Sequence, residues 1–157
     1  MYDNSPQLWD KVWKIPYSAA EDIYALAKEE KSIRWQRLEN IVIHEFGSFN
    51  NLKIIEIGAG AGTYAAIMAK HGAQATLMDY SEAALIRANQ FFQHNSVSAD
   101  FIQQDALHLP SIMYDRFDIS MSFGLTEHFK DTARIAITKA HFDVLRKGGM
   151  TFYICSK

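Results

Sequence analysis

The sequence predicts an α/β protein with a doubly wound, mostly parallel β-sheet, helices on both faces of the sheet and an N-terminal helical extension. Three observations support this prediction. From residue 53 onward, short apolar runs alternate with segments of helical periodicity. A glycine-rich turn follows the first run directly, and acidic residues follow the second and third runs. Strands that alternate with helices pair in parallel, and the connecting helices cover both faces of the sheet.

Five strands and three helices are predicted in this part of the chain. The predicted strands cover residues 53–57, 75–78, 100–103, 117–122 and 151–155, and the predicted helices cover residues 63–71, 82–94 and 131–146. Ser81 is a suitable N-cap for the second helix because its hydroxyl can accept from a free amide of the first turn. Lys147, Gly148 and Gly149 suit the end of the third helix, since cations and glycine are favoured at helix C-termini.

The first 50 residues are predicted to form helices without strands. Ser18 and Glu21 give the pattern of a capping box ahead of one helix, and a second helix is predicted over residues 33–46. Trp9 and Trp13, four residues apart, precede both. Two interpretations stay open: helices that pack on one face of the sheet, or a lid that closes aromatic side chains over a ligand. The predicted division is an N-terminal helical segment or lid, residues 1–50, and a ligand-binding core, residues 51–157.

Composition excludes several classes of function. The 157 residues carry 16 Lys and Arg against 18 Asp and Glu, a net charge of −2, so no basic surface is expected for nucleic acid. The single cysteine, Cys155, excludes a disulfide framework, and the histidines show no spacing typical of a metal site. Without an 18-residue apolar run or the form of a signal peptide, we expect a cytoplasmic protein that has no contact with a membrane.

The glycine-rich turn favours a cationic ligand over a polyphosphate. The turn reads Gly58-Ala59-Gly60-Ala61-Gly62. Thr63 occupies the position where a dinucleotide-binding fingerprint requires glycine, which argues against a nicotinamide-dependent oxidoreductase, and the lysine of a phosphate-binding loop is missing. Glu56, two residues before the turn, is unfavourable beside a pyrophosphate, whereas its carboxylate can partner an ammonium or a sulfonium group.

Five segments together resemble the motifs of class I S-adenosylmethionine-dependent methyltransferases, which have a Rossmann-like fold. The glycine turn with Glu56 resembles the first motif, and Asp79 ends the second strand 21 residues after Gly58. Residues 104–107, Gln-Asp-Ala-Leu, are similar to the third-strand motif. The apolar run at 117–122 and the turn at 145–150 are similar to the segments around the fourth and fifth strands. The resemblance covers residues 52–155.

The resemblance implies S-adenosylmethionine as cofactor, with S-adenosylhomocysteine as product. It implies that Asp79 accepts from both ribose hydroxyls, since a carboxylate can accept two hydrogen bonds. Asp105 would accept from the adenine amino group, the Ala106 amide would meet the ring, and Tyr80 is placed to stack on the ring. The cofactor-binding residues expected from the resemblance are Glu56, Gly58, Ala59, Gly60, Gly62, Asp79, Tyr80, Asp105, Ala106 and Ser122.

The reaction implied by the resemblance is in-line attack by an acceptor on the sulfonium methyl group. Alignment and exclusion of water then matter more than a fixed catalytic triad. Glu127 and His128, after the fourth strand, are candidates for proton transfer, with ordering of the loop as the favoured alternative. The acceptor is expected to be a small molecule. Neither the Asn/Asp-Pro-Pro-Tyr/Phe motif of amino-methylating subfamilies nor a Pro-Cys setting for Cys155 is present.

A second hypothesis is a non-catalytic S-adenosylmethionine-binding module or partner subunit that a second chain completes. The resembled fold usually continues after the fifth strand with a helix and two more strands, which this sequence does not contain. The fifth strand is then expected to lie at a bare sheet edge, which can pair with another chain. Three explanations stay open: a truncated sequence, completion of this edge by a second copy in a homodimer, or a compact variant of the fold.

Overall fold

A computed structural model describes residues 5–154 of the chain. The elements in chain order are α1 (Pro6–Trp13), α2 (Ala19–Glu29), α3 (Ile33–Phe46), β1 (Lys53–Ile57), α4 (Thr63–Lys70), β2 (Gln74–Asp79), α5 (Glu82–His94), β3 (Ala99–Gln103), β4 (Phe117–Phe123), α6 (Asp131–Asp143) and β5 (Leu145–Ile154). The strands form one sheet in the order β3-β2-β1-β4-β5. Every neighbouring pair is parallel. The predicted doubly wound α/β architecture is therefore confirmed.

Two apolar clusters pack on the two faces of the sheet. The larger cluster joins α2, α3, α4 and α5 to one face and includes Trp35, Ile67 and Phe92. The smaller cluster includes Ile57 of β1 and Val144, which follows α6. Side chains of successive strand residues point to opposite faces, and the central strands β1, β2 and β4 are buried on both sides, as expected for a parallel sheet. Helices on both faces were predicted and are confirmed.

The sheet order fixes where a ligand can bind. The chain leaves β1 toward β2 and β3 on one side and returns to β4 and β5 on the other. The turn after β1 therefore lies at the point where the strand order reverses. In open α/β sheets, ligands bind in the crevice that forms at this point, outside the carboxyl ends of the strands. The glycine-rich turn opens into this crevice.

The boundary between α6 and β5 corrects one prediction. Helix α6 ends at Asp143 rather than at residue 146, and β5 begins at Leu145. Its ladder with β4 shifts register between Phe117 and Ile119. A Cβ on Gly149 would lie 2.9 Å from the Arg146 carbonyl oxygen. The glycine therefore permits this close backbone approach inside the strand instead of ending the helix. The end of the predicted fifth strand, Cys155, lies outside the described residues.

Helices α2 and α3 pack against the same face of the sheet as α4 and α5. Leu26 of α2 and Trp35 of α3 belong to the larger apolar cluster. A buried ion pair also fastens α2 to α5, because Arg87 donates to both carboxylate oxygens of Asp22. These contacts agree with the packing interpretation for α2 and α3. The division of the chain at residue 50 stays a prediction.

None of the helices within residues 5–154 combines the length and the apolar character needed to cross a bilayer.

Candidate cofactor site

A cavity of about 540 Å³ lies at the carboxyl ends of β1, β2 and β4. The segments that follow β1, β2, β3 and β4 form most of its wall, and α1 also contributes lining residues. Nine of the ten residues expected to bind the cofactor line this single cavity. They are Glu56, Gly58, Ala59, Gly60, Gly62, Asp79, Tyr80, Asp105 and Ala106. The structure thus brings together residues that lie as far apart in sequence as 56 and 106.

The turn after β1 has glycine at three positions where the backbone adopts a positive φ angle. Gly58, Gly60 and Gly62 have φ angles of +65°, +53° and +71°. A Cβ on Gly60 would lie 2.6 Å from the Trp13 ring, and one on Gly62 would lie 2.2 Å from Leu77 Cδ2. Glycine at these two positions therefore lets the Trp13 ring and the Leu77 side chain approach the backbone of the turn closely.

We expect Gly62→Ala to destabilise the protein more than Gly148→Ala. Both glycines have positive φ, +71° and +83°, so each alanine carries backbone strain of about 1–2 kcal/mol. Only the alanine at 62 also collides with the buried Leu77 side chain, whereas nothing lies within 4 Å of a Cβ at 148. Urea denaturation of the two variants measures the difference. Equal losses of stability would show that Leu77 does not restrict this turn.

Glu56 holds the first turn of α4 from inside the cavity. Its Oε2 accepts from the Ala65 amide at 3.1 Å, while the N-cap residue Gly62 makes no side-chain cap. The side chain is buried, and burial together with the nearby charge of Asp79 raises the pKa of Glu56 to about 8, despite the amide. A cationic group in the cavity would stabilise the carboxylate form.

Asp79 ties the glycine turn to the start of α5. Its Oδ2 accepts from the Gly60 amide at 3.2 Å, and its Oδ1 accepts from the Ser81 amide at 2.9 Å. Burial raises the pKa of Asp79 more than these amides lower it. Each carboxylate oxygen can accept a second hydrogen bond. Asp79 can therefore accept from two ligand hydroxyls while it holds the turn.

The loop after β3 forms another part of the wall. Asp105 caps a short 3₁₀ turn by accepting from the Leu107 amide at 2.9 Å, and its other oxygen lies 2.9 Å from His108 Nδ1. Ala106 and Tyr80 line the cavity beside it. Tyr80 thus offers an aromatic ring, and Asp105 a hydrogen-bond acceptor, to the same cavity.

Ser122 is placed differently from the other expected residues. It is buried and is not among the residues that line the cavity. Ser120, two residues earlier, donates to the His141 carbonyl on α6. Alternation along β4 directs Ser122 to this same face, beneath α6, whereas the next residue, Phe123, lines the cavity. The sequence resemblance identified the strand, and the neighbouring residue is the one that reaches the cavity wall.

The two candidates for proton transfer also differ in position. His128 lines the cavity, and its ring packs edge-to-face on Trp9, with 4.8 Å between centroids. Glu127 is not among the lining residues, and its Oε1 would lie 3.7 Å from a Cβ on Gly124. Glu127 therefore lies against its own loop, and of the two side chains His128 is the one at the cavity.

Several cavity residues were not assigned to the site from the sequence. Tyr64 stacks on Phe123, with 4.0 Å between centroids, and its hydroxyl donates to Glu29 of α2. Burial, together with the bond to Glu29, raises the pKa of Tyr64 to about 12, so the phenol is protonated at neutral pH. The remaining aromatic and apolar lining residues include Trp9, Trp13, Leu125 and Phe129. Only the tryptophans carried a signal in the sequence, their spacing on one helix face.

Among the described residues, no group of three or more His, Cys, Asp or Glu side chains is arranged to hold a metal ion.

Comparison with known proteins identifies relatives of this chain. The ubiquinone biosynthesis O-methyltransferase of Stutzerimonas stutzeri is 30% identical over 111 residues, which cover 71% of this chain and 47% of the relative. The enzyme of the same description from Azotobacter vinelandii is 30% identical over 101 residues, covering 64% of this chain and 43% of the relative. The chain thus spans about half the length of the curated relatives it matches.

The fold is shared with solved structures. The magnesium protoporphyrin IX methyltransferase of Synechocystis PCC 6803, solved with bound S-adenosylmethionine, superposes with a TM-score of 0.63. The match covers 87% of this chain and 64% of that one at 17% identity, which supports the fold alone. A family model described as a methyltransferase domain matches residues 54–149, from β1 into β5. The chain therefore belongs to the methyltransferase domain family.

Proposed function

We propose that this chain binds S-adenosylmethionine and transfers its methyl group to a small-molecule hydroxyl acceptor, leaving S-adenosylhomocysteine. The observation that carries the proposal is the pair of buried carboxylates, Glu56 and Asp79, in one cavity with the glycine turn. Two carboxylates with raised pKa values disfavour a polyphosphate and favour a ligand that brings positive charge and hydroxyl groups. S-adenosylmethionine has an ammonium, a sulfonium and two ribose hydroxyls.

The cavity residues fit the parts of this cofactor. Asp79 would accept from the ribose hydroxyls, and Asp105, Ala106 and Tyr80 would hold the adenine. The glycine turn would let the methionine portion approach the backbone, with Glu56 beneath it. The bound cofactor supplies an electrophilic methyl group, so the protein has to align the acceptor and exclude water.

The apolar part of the cavity lining supports an aromatic or similarly apolar acceptor. Phe123, Leu125 and Phe129 line the cavity, and His128 adds an imidazole to the lining. A hydroxyl acceptor loses its proton as its oxygen is methylated, and a ring nitrogen of His128 can accept that proton. The names of the relatives, O-methyltransferases of ubiquinone biosynthesis, support a hydroxyl as the methyl acceptor.

Calorimetric titration tests the cofactor assignment. We expect S-adenosylhomocysteine to bind with one site per chain, and NAD and ATP to produce no heat of binding. Release of S-adenosylhomocysteine from S-adenosylmethionine, measured with a panel of phenols and catechols, then tests turnover. A folded protein that binds neither form of the cofactor would refute the proposal.

We expect Asp79→Ala to weaken S-adenosylhomocysteine binding by roughly 10- to 150-fold, the range of a lost hydrogen bond to a charged group. The matched control is Asp100→Ala, which removes an exposed carboxylate from β3. Calorimetry measures both affinities, and circular dichroism checks that the Asp79 variant keeps its fold. An unchanged affinity in the Asp79 variant would remove this residue from the site.

A second candidate function, a partner subunit completed by another chain, is favoured by one observation. In the described part of the chain, β5 pairs with β4 alone and leaves its other edge unpaired. A second copy that adds its own β5 would form a continuous sheet. Light scattering at increasing concentration tests this: a monomer at every concentration contradicts edge pairing, and turnover by the monomer contradicts a purely non-catalytic role.

A further inference from the structure

Helix α1 presents one face to the cavity. Trp9, Asp10 and Trp13 are partly buried, and the other five residues of the helix are exposed. The spacing i, i+1 and i+4 places these three side chains on adjacent positions of the helix surface. The side-chain contacts that hold α1 in place therefore come mainly from these three residues.

The two tryptophans contact two different loops that line the cavity. Trp13 lies directly against Gly60 of the glycine turn, and Trp9 packs on His128 beyond β4. Both rings line the cavity. Helix α1 thus extends over the cavity from the glycine turn to the loop after β4, and it is called the roof below.

Asp10 connects α1 to Ser81, which also donates a hydrogen bond to Asp79. Asp10 Oδ1 accepts from the Ser81 hydroxyl at 2.6 Å and from the Ala83 amide at 3.4 Å. The Ser81 amide donates to Asp79 Oδ1 at 2.9 Å. Ser81 therefore links Asp10, which fixes α1, to Asp79, which is expected to hold the ribose.

The start of α5 does not need Asp10 as its cap. Ser81 already occupies the N-cap position, where its Oγ accepts from the Ala84 amide at 3.1 Å. The hydroxyl proton of Ser81 is left to donate to Asp10. Helix α1 has only eight residues and none is fully buried, and isolated helices of this length are marginal in water. Its position therefore depends on the contacts of Asp10 and the two tryptophans.

We propose that Asp10 is a positioning residue of the cofactor site: through Ser81 it fixes Trp9 and Trp13 over the cavity and slows the release of the bound ligand. The inference rests on the proposed function for the identity of that ligand, S-adenosylmethionine or S-adenosylhomocysteine. The roof covers part of the cavity, so movement of α1 widens the path by which a bound ligand leaves. Asp10 therefore controls the dissociation rate without touching the ligand.

The first experiment uses the protein without ligand. The chain has three tryptophans, and Trp35 is 1% exposed, so acrylamide quenching reports chiefly on Trp9 and Trp13. We expect Asp10→Ala to increase the quenching constant. The control Lys11→Ala removes an exposed charge from the same helix and should leave quenching unchanged. Equal quenching in the wild type and Asp10→Ala would overturn the proposal.

The second experiment measures ligand release. In stopped-flow displacement, we expect S-adenosylhomocysteine to dissociate about tenfold faster from Asp10→Ala than from the wild type or Lys11→Ala, corresponding to a lost charged hydrogen bond. In a Ser81→Ala background, Asp10→Ala should add much less than this factor, since the bond is already lost. An unchanged dissociation rate overturns the proposal, as does a full tenfold effect in the Ser81→Ala background.

Failure of the proposed function can be distinguished from failure of the role assigned to Asp10. If the wild type binds no S-adenosylhomocysteine, the proposed function fails, whereas the quenching experiment still decides whether Asp10 fixes α1. If the wild type binds and the Asp10 variant behaves like Lys11→Ala in both experiments, only the role of Asp10 fails. A fall in melting temperature with unchanged quenching would assign Asp10 to the stability of α5 alone and also overturn the proposal.

Discussion

Asp22→Ala is expected to lower the free energy of unfolding by about 3–5 kcal/mol, the usual cost of removing one partner from a buried ion pair. Asp22 is 1% exposed and Arg87 is 5% exposed. Arg87 donates to both oxygens of Asp22 and lies 4.4 Å from the centroid of the Tyr17 ring. Without Asp22, the guanidinium would stay buried and uncompensated. Urea denaturation at neutral pH measures the loss.

Two further variants separate this mechanism from a general effect of losing a carboxylate. Asp143→Ala removes the partner of the exposed Lys139 on α6 and should change stability little, since surface ion pairs contribute little. The double variant Asp22→Ala with Arg87→Met removes both charges and should recover much of the lost stability. If the double variant is no more stable than Asp22→Ala, the buried unpaired charge is not the cause.

Glu56→Gln is expected to stabilise the protein without ligand as the pH rises. The pKa of Glu56 is about 8 in the folded protein and near 4.5 when the chain is unfolded. Between these values the folded state binds more protons, so its stability falls with rising pH, in total by on the order of 5 kcal/mol. The glutamine introduced at this position cannot ionise, and its carbonyl oxygen can still accept from the Ala65 amide.

The measurement is the stability difference between Glu56→Gln and the wild type at pH 5, 7 and 8.5. Other titrating groups are common to both proteins and cancel in this difference. We expect the difference to increase in favour of the variant at each step, and a constant difference would contradict the raised pKa. Asp100→Asn, at an exposed carboxylate, is the control and should give no such trend.

Although Glu56→Gln should make the protein without ligand more stable, it should weaken the binding of S-adenosylmethionine. A cation in the cavity favours the carboxylate form of Glu56, so S-adenosylmethionine should displace a proton when it binds below pH 8. Calorimetry in buffers of different ionisation enthalpy measures this proton release. Glu56→Gln should bind more weakly and release fewer protons. Equal proton release from both proteins would show that Glu56 does not titrate on binding.

Local patterns were sufficient to predict the first four strands and the glycine turn. The bounds Lys53–Ile57 for β1 and Glu82–His94 for α5 agree with the prediction, because an apolar run and an N-cap serine mark them within a few residues. The end of α6 was placed too late since Val144 and Leu145 continue its apolar spacing. Pairing of β5 with β4, and of Arg146 with Asp118, decides that boundary instead.

Contacts between distant segments could not be predicted in the same way. Asp10 meets Ser81 across 71 positions, and Asp22 meets Arg87 across 65. Nothing local in a helix identifies the partner of an acidic side chain. The tryptophans on either side of Asp10 indicate which face of α1 is used, but the surface that this face meets depends on how the helices pack.

The central position of β1 has a consequence for hydrogen exchange. Strand β1 has a hydrogen-bonded neighbour on each side, and its residues Ile54, Ile55 and Ile57 have no exposed surface. Its amides should exchange with solvent among the slowest in the chain, and the glycine turn begins where it ends. The amides of α1, which has no fully buried residue, should exchange early. The cavity therefore lies between a strand whose amides exchange slowly, β1, and a helix whose amides exchange quickly, α1.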